Sequence, residues 1–333
     1  MIRDHTDNES AATAATQEAP SFRDVLRARR SIAPYLQPTP MHSYPAVNEL
    51  IGAEVYIKHE NVQPTGAFKV RGGVNLVSQM SDEDRGRGLI AASTGNHGQS
   101  VAYAARLFGA RAAIVAPEGS NPGKVAAMRG MGAEVILHGA TFDDARLHCE
   151  RLAEQGGRRY VHSGDEPLLI AGVGTYSLEI VEDAPDVDVI IVAVGGGSGA
   201  AGACVVADAV GGIEVIGVQS SESRAGYESW RARRMVESPN RTFADGLATG
   251  TAFALPQSIL ADGLSDFVLV DEEEIRHAMR LMIELAHTLA EAAGAAALAA
   301  AYSLRDQLAG RTVALVCSGG NARLEHVRLA LGD

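Results

Sequence analysis

Eight short runs rich in β-branched residues recur along the chain, separated by Gly-rich or polar turns and segments of helical period. This alternation constrains the fold more than any other feature. The runs are EVYIKHE (54–60), GLIAAS (88–93), AAIVAP (112–117), AEVILHG (133–139), DVIIVAVG (188–195), IEVIGVQ (213–219), DFVLV (266–270) and TVALVCSG (312–319). Segments between them, such as HGQSVAYAARLFG (97–109) and GKVAAMRGMG (123–132), have the period of helices. Strands that are apolar almost throughout are buried on both faces, as in parallel sheets covered by helices. Eight strands exceed the need of one sheet. The expected fold is therefore α/β, with two three-layer domains and mostly parallel sheets. The expected division is a large domain over 21–80 and 165–333 and a small mobile domain over 81–164. Residues 1–20, rich in Ala, Thr, Asp and Glu, read as a disordered leader without a secretory signal. A helix is expected over 22-FRDVLRARRSIAPYL-36, stopped by Pro38 and Pro40.

Composition narrows the function classes. A chain of 333 residues that is 46% hydrophobic can bury a large core. Its 29 basic against 41 acidic residues give a formal net charge of −12, which argues against nucleic acid or an anionic membrane as partner. The longest apolar run, 188-DVIIVAVGGG-197, is too short to cross a bilayer. Cys149, Cys204 and Cys317 lack metal-ligand spacing and read as reduced thiols of a cytoplasmic protein.

Parallel α/β sheets bind ligands at the carboxyl ends of their strands, and Gly-rich turns there are the places to look. In 192-VAVGGGSGAAG-202 a buried strand runs into Gly195, Gly196, Gly197, Ser198 and Gly199 and then into a helix. Backbone N–H groups of such a loop, backed by a helix amino end, form an anion cradle that side chains would block. Residues 197-GSGAAG-202 also fit the dinucleotide fingerprint, but the next strand ends at Gln219, where a ribose-binding acid is wanted. The loop 93-STGNHG-98 sets Ser93, Thr94, Asn96 and His97 at a helix amino end, a place that attracts carboxylates. Ser93 or Thr94 alone would be read as a helix cap, and His97 alone as structural. The strand 312–318 delivers Ser318 ahead of Gly319-Gly320-Asn321. Lys69 follows the turn Pro64-Thr65-Gly66 and sits among Ala67, Phe68 and Val70. A lysine in a dry setting loses its charge easily and becomes a nucleophile able to form an imine.

The set 63-QPTGAFKVRGG-73, 93-STGNHGQ-99, 195-GGGSG-199 and 318-SGGN-321, in this order and spacing, resembles the fold-type II pyridoxal-phosphate enzymes (tryptophan synthase β-like), in their threonine/serine dehydratase and serine racemase group. The resemblance covers about residue 22 to the carboxyl end. It implies pyridoxal 5′-phosphate as cofactor, held covalently through Lys69, which then moves the substrate's α-proton. It further implies that Phe68 packs beside the cofactor, that Asn96 bonds its phenolic oxygen, that Gly195–Gly199 cradle its phosphate and that Ser318 faces its pyridine nitrogen. Ser93, Thr94, Asn96 and His97 would surround the substrate carboxylate. A neutral hydroxyl opposite the ring nitrogen suits prompt β-elimination, giving a 2-oxo acid and ammonia from L-threonine or L-serine, with the cofactor phosphate as the usual proton donor to the leaving hydroxide. A homodimer is also implied.

Local residues sort the relatives. Threonine synthases tend to carry Asp after the lysine and cysteine synthases a Ser-Val-Lys-Asp-Arg segment, whereas this chain has Val70 within Ala67-Phe68-Lys69-Val70-Arg71. The chain ends soon after Asn321, which argues against isoleucine feedback. Racemases of the group place serine, as base for the opposite face, where this chain has Thr94, so Thr94 is a second candidate catalytic group. Members with a divalent cation carry carboxylates where this chain has Gln219 and Ala225, so no metal is expected. The segment 291-EAAGAAALAA-300 reads first as a small-residue helix packed close to its neighbours, with Glu291 near the ring as the alternative. Alternatives to the dehydratase are a serine-type racemase, a dehydratase of another 3-hydroxy amino acid and, remotely, a dinucleotide-dependent oxidoreductase.

Overall fold

The computed structural model describes residues 18–332, and the leader expected over residues 1–20 lies almost wholly outside them. Ten strands form two sheets: β1 (Met41–Ser43), β2 (Glu54–His59), β3 (Leu89–Ala92), β4 (Ala112–Ala116), β5 (Glu134–Leu137), β6 (Arg159–Tyr160), β7 (Val189–Ala193), β8 (Glu214–Ser220), β9 (Asp266–Val270) and β10 (Thr312–Cys317). One sheet has the order β1-β2-β10-β7-β8-β9, the other β5-β4-β3-β6. All pairings are parallel except β1 with β2. The eight expected strands are all present. The two unforeseen ones, β1 and β6, are edge strands of three and two residues, too short and too exposed for an apolar run.

Alternate strand residues feed opposite cores, which makes each sheet the middle of three layers. Val189, Ile191, Ile216 and Val218 pack on one side of the larger sheet; Ile190, Val192 and Val215 pack on the other. In the smaller sheet Leu89, Ala91 and Ile114 face one core, and Ile90, Ala92 and Val115 the other. The first helix spans Phe22–Ile32, shorter than expected. Pro34 ends it before Pro38 can: Ala33 still has helical angles (φ −53°, ψ −34°), but proline has no N–H with which to continue the helical hydrogen bonds.

Glycines bring three helices into close contact behind the pocket. A Cβ on Gly172 of the helix Pro167–Asp183 would lie 2.7 Å from both Arg71 O and Gly72 Cα of the helix Lys69–Ser78. A Cβ on Gly202 of the helix Ser198–Val210 would lie 2.7 Å from Gly174 Cα. Gly202, the last glycine of the dinucleotide-like pattern, is thus required by helix–helix packing.

A buried ionic network locks the same region. Arg71 is buried and grips two carboxylates, Glu60 (Nε to Oε2 2.7 Å, Nη2 to Oε1 2.8 Å) and Glu179 (Nη1 to Oε1 2.8 Å, Nη2 to Oε2 2.7 Å). Lys58 adds a pair to Glu179 at 2.8 Å. Bidentate Arg–carboxylate geometry fixes orientation as well as distance. The helix whose first residue is Lys69 is thereby pinned to β2 and to the helix Pro167–Asp183. The three cysteines are free thiols and buried. No helix among the described residues is long and apolar enough to cross a membrane.

Candidate active site

The larger sheet brings the carboxyl ends of β2, β10 and β7 side by side. The chain leaves β2 through the turn at Gly66 (φ +68°) and starts a helix at Lys69. It leaves β10 at Ser318 and β7 at the glycine loop. A bridge between Ala67 and Gly319, and the bond from Phe68 N to Ser318 O at 3.1 Å, tie the first two exits together. From the smaller sheet, β3 leads directly into Ser93, and the helix Asn96–Leu107 begins three residues later.

All the residues singled out in the sequence line one pocket: Phe68, Lys69, Ser93, Thr94, Asn96, His97, Gly195–Gly199 and Ser318. Lys69 Nζ donates to Ser198 Oγ at 2.7 Å and to Ser163 O at 3.1 Å. Although its side chain borders open space, protein surrounds the amine, and burial pushes its pKa down to about 8. The amine and the anion cradle therefore lie within reach of one small ligand.

The cradle has little room for side chains. A Cβ on Gly195 would stand 2.1 Å from Gly246 O, and one on Gly196 2.4 Å from Phe253 Cε2. Gly197 has φ +83° and caps the helix Ser198–Val210 without a side-chain bond, leaving its first N–H groups for a ligand. Phe68 packs edge-on to Tyr176, both against Gly199 of the cradle, and Ser318 Oγ donates to Ala293 O at 3.3 Å.

At the substrate-side loop, Ser93 Oγ accepts from Gly95 N (3.0 Å) and Gly98 N (2.8 Å), keeping its own proton to donate. Thr94's hydroxyl has no hydrogen-bond partner among the described residues. His97 is buried, and burial pushes its pKa down to about 3. Its Nε2 lies 3.1 Å from Val161 O, so the neutral ring must carry its proton there, and Nδ1 is left as an unpartnered acceptor. The imidazole therefore has no N–H to offer a carboxylate, and only the backbone of residue 97 can serve that purpose.

The segment 291–300 falls on a small-residue helix, Ala292–Ser303, with Glu291 at its amino end. Gly294 packs so closely that a Cβ would meet Gly319 O at 2.2 Å, and Glu291 reaches the pocket, accepting from Asn96 Nδ2 at 2.5 Å. Lys124, Phe142, Ser163, Asp245 and Phe253 also line the pocket and were not foreseen as site residues. Lys124, Phe142 and Ser163 follow the carboxyl ends of β4, β5 and β6, so treating every strand end as a candidate would have exposed them.

These residues fit pyridoxal phosphate: an amine of lowered pKa, a glycine cradle with uncapped helix N–H groups, and a hydroxyl and an amide facing the space between. The family described as "Pyridoxal-phosphate dependent enzyme" matches residues 32–319. The chain is 39% identical to an L-threonine ammonia-lyase of Thermotoga maritima over 305 residues, 90% of this chain and 75% of that protein. It is 37% identical to a catabolic L-threonine dehydratase of Staphylococcus aureus over 324 residues, 96% of this chain and 94% of that one. The structure of a serine racemase from Dictyostelium discoideum superposes with a TM-score of 0.86 at 33% identity, covering 92% of this chain and 99% of that one.

Proposed function

Because this chain belongs to the pyridoxal-phosphate dependent enzyme family, we propose that it is an ammonia-lyase that dehydrates L-threonine, L-serine or both to a 2-oxo acid and ammonia. The observation that carries the reading is the meeting of Lys69 Nζ with the glycine cradle, 2.7 Å from Ser198 Oγ. The similarity to an L-threonine ammonia-lyase and an L-threonine dehydratase supports the substrate class.

When bound, the cofactor supplies an electron sink that makes the substrate's α-proton removable. The protein's part follows from its own groups. Lys69 would hold the cofactor and is the amine that would accept that proton; a pKa of about 8 leaves a useful neutral fraction near neutral pH. Gly195, Gly196, Gly197, Ser198 and Gly199 would hold the phosphate, Asn96 and Ser318 would hold the ring's oxygen and nitrogen, and Phe68 would pack beside it. The amino end of the helix Asn96–Leu107, with Ser93 and Thr94, orients the substrate carboxylate. Phe142 and Phe253 add apolar surface to the pocket, with Phe253 lying against Gly196 of the cradle.

A second reading, racemisation, is favoured by the free hydroxyl of Thr94 and the likeness to the Dictyostelium serine racemase. Thr94 would then act as the base on the opposite face. The residues around the smaller sheet, 81–164, would form a small domain that closes on the larger one, 21–80 with 165–333. Exposed apolar residues Val62, Leu289, Leu324 and Leu329 support a homodimer, and three buried free thiols suit the reducing cytoplasm.

A panel of β-hydroxy amino acids tests the reading. Oxo-acid release from L-threonine or L-serine, abolished in Lys69→Ala, is the expected result. A chain that releases none but interconverts L- and D-serine supports racemisation instead, and one that does neither overturns both readings.

A further inference from the structure

A series of polar contacts, made into a ring only by the backbone of residues 321–323, runs along one wall of the pocket. Asn321 Nδ2 donates to Asn96 Oδ1 at 2.9 Å, and Asn96 Nδ2 donates to Glu291 Oε1 at 2.5 Å. Lys124 Nζ donates to Glu291 Oε2 at 3.2 Å and to Asp245 Oδ2 at 3.4 Å. Asp245 is in turn gripped by Nε and Nη2 of Arg323 at 3.2 and 3.3 Å, two residues on from where the ring began. Lys124 and Glu291 are each only 5% exposed, so this is no solvated surface pair. The charges of Lys124 and Arg323 cancel those of Glu291 and Asp245.

The ring joins the two sheets' surroundings. Asn96 and Lys124 stand on helices that follow β3 and β4, whereas Asp245, Glu291, Asn321 and Arg323 stand on segments around the larger sheet. The stem of Lys124 lies over the loop 93–98: its Cδ is 2.6 Å from where a Cβ on Gly95 would be. The lysine has this path because residue 95 is glycine. Glu291 and Asn96 both face the pocket that holds Lys69.

We propose that Lys124 is a positioning residue: by pairing with Glu291 it holds that carboxylate in place as the acceptor that orients the Asn96 amide, and keeps the pocket free of an uncompensated negative charge. The inference rests on the cofactor reading above. A buried carboxylate stripped of its cation must take up a proton, turn away or stay as an unpaired anion. A proton would compete with Asn96 Nδ2 for the same oxygens, and an unpaired anion would favour protonation of whatever titrates beside it. The other titratable groups facing the pair are Lys69 and His97 across the pocket, Asp245 and Arg323 in the ring, Cys317 near Glu291 and His326 near Asp245.

The test uses the full chain loaded with pyridoxal phosphate, as wild type, K124M, K124R, E291Q and K124M/E291Q. The readouts are the pH midpoint of the cofactor's visible band and the melting temperature of the cofactor-free protein. K124M is expected to raise the midpoint by about one pH unit, roughly tenfold in proton affinity, and E291Q to lower it by a similar amount. K124R and the double variant, whose net charge equals that of the wild type, should stay within about 0.3 unit of it. Should K124M fail to fold, E291Q and K124R carry the same comparison. A lowered melting temperature with unmoved midpoints would mean a merely structural strut and overturn the inference alone. A wild-type chain that shows no band overturns the cofactor reading and this inference with it.

Discussion

Replacing Gly195 with alanine is the sharpest probe of the cradle. The new Cβ would stand 2.1 Å from the carbonyl oxygen of Gly246. Relaxed carbon–oxygen contacts are about 3.3 Å or longer, so backbone must move by about 1 Å, and both partners here are backbone. A shift of that size takes one or two loop N–H groups out of reach of a phosphate. Hydrogen bonds to charged groups contribute about 1.5–3 kcal/mol each, so the loss is about 2–5 kcal/mol, roughly 30- to several-thousand-fold in Kd for pyridoxal phosphate. Gly196→Ala is the informative neighbour. Its Cβ meets only the ring of Phe253, at 2.4 Å, and a side chain can turn aside where a carbonyl cannot. Gly211→Ala is the control: φ is +78° and nothing lies within 4 Å, so it strains the backbone locally away from the pocket. Titrating cofactor-free protein with pyridoxal phosphate and following absorbance gives the three affinities. The expected order of damage is Gly195→Ala, then Gly196→Ala, with Gly211→Ala within about twofold of wild type. A Gly195→Ala protein that binds the cofactor as tightly as wild type would refute the assignment of this loop.

Further outcomes follow from the same contacts. Burial holds the Lys69 pKa near 8 against 10.5 for a free lysine. Below pH 8 the folded, cofactor-free chain therefore carries a buried ammonium at a cost, which is relieved as pH rises towards 10.5. Lys69→Met should melt at a higher temperature than wild type at pH 7, and the gap should vanish by about pH 10.5; a gap that stays constant with pH would contradict this. Arg71→Met leaves Glu60 without its cation and Glu179 with Lys58 and Arg29. A loss of about 3–5 kcal/mol in urea unfolding is expected, and a loss below about 1 kcal/mol would show that the network does not pin the lysine-bearing helix. Gln219 is fully buried and accepts from Tyr227 N at 3.1 Å, so this position offers an amide and no carboxylate to a divalent cation. Dialysis against EDTA should leave oxo-acid release unchanged, whereas a rate recovered only with a divalent cation would show a metal site.

What the sequence disclosed, it disclosed through local chemistry. Doubly buried strands announce themselves as apolar runs, and the glycine loop and the 93–98 loop each hold their functional atoms within a few consecutive residues. The short strand β6 had no such signature, since Arg159 and Tyr160 pair at an edge. The ring through Lys124 was illegible for a different reason. Its partners lie 121 and 167 residues away in sequence, and each of them, read alone, is an ordinary polar residue on a helix or a loop. Gly202 shows the opposite error. It completes a dinucleotide-like pattern, yet it is there because two helices cross at Gly174. His97, read alone as structural, has its ring proton claimed by the carbonyl of Val161, which leaves only its backbone N–H for the carboxylate that the family resemblance sets beside it.

The central claim is that Lys69 carries the cofactor. Loading the protein with pyridoxal phosphate, reducing it with borohydride, digesting it and locating the modified peptide by mass spectrometry tests that claim directly. The account predicts a single pyridoxyl group on Lys69, within the peptide that contains 63-QPTGAFKVR-71. A label on Lys124 or Lys58, or no label at all, would contradict it.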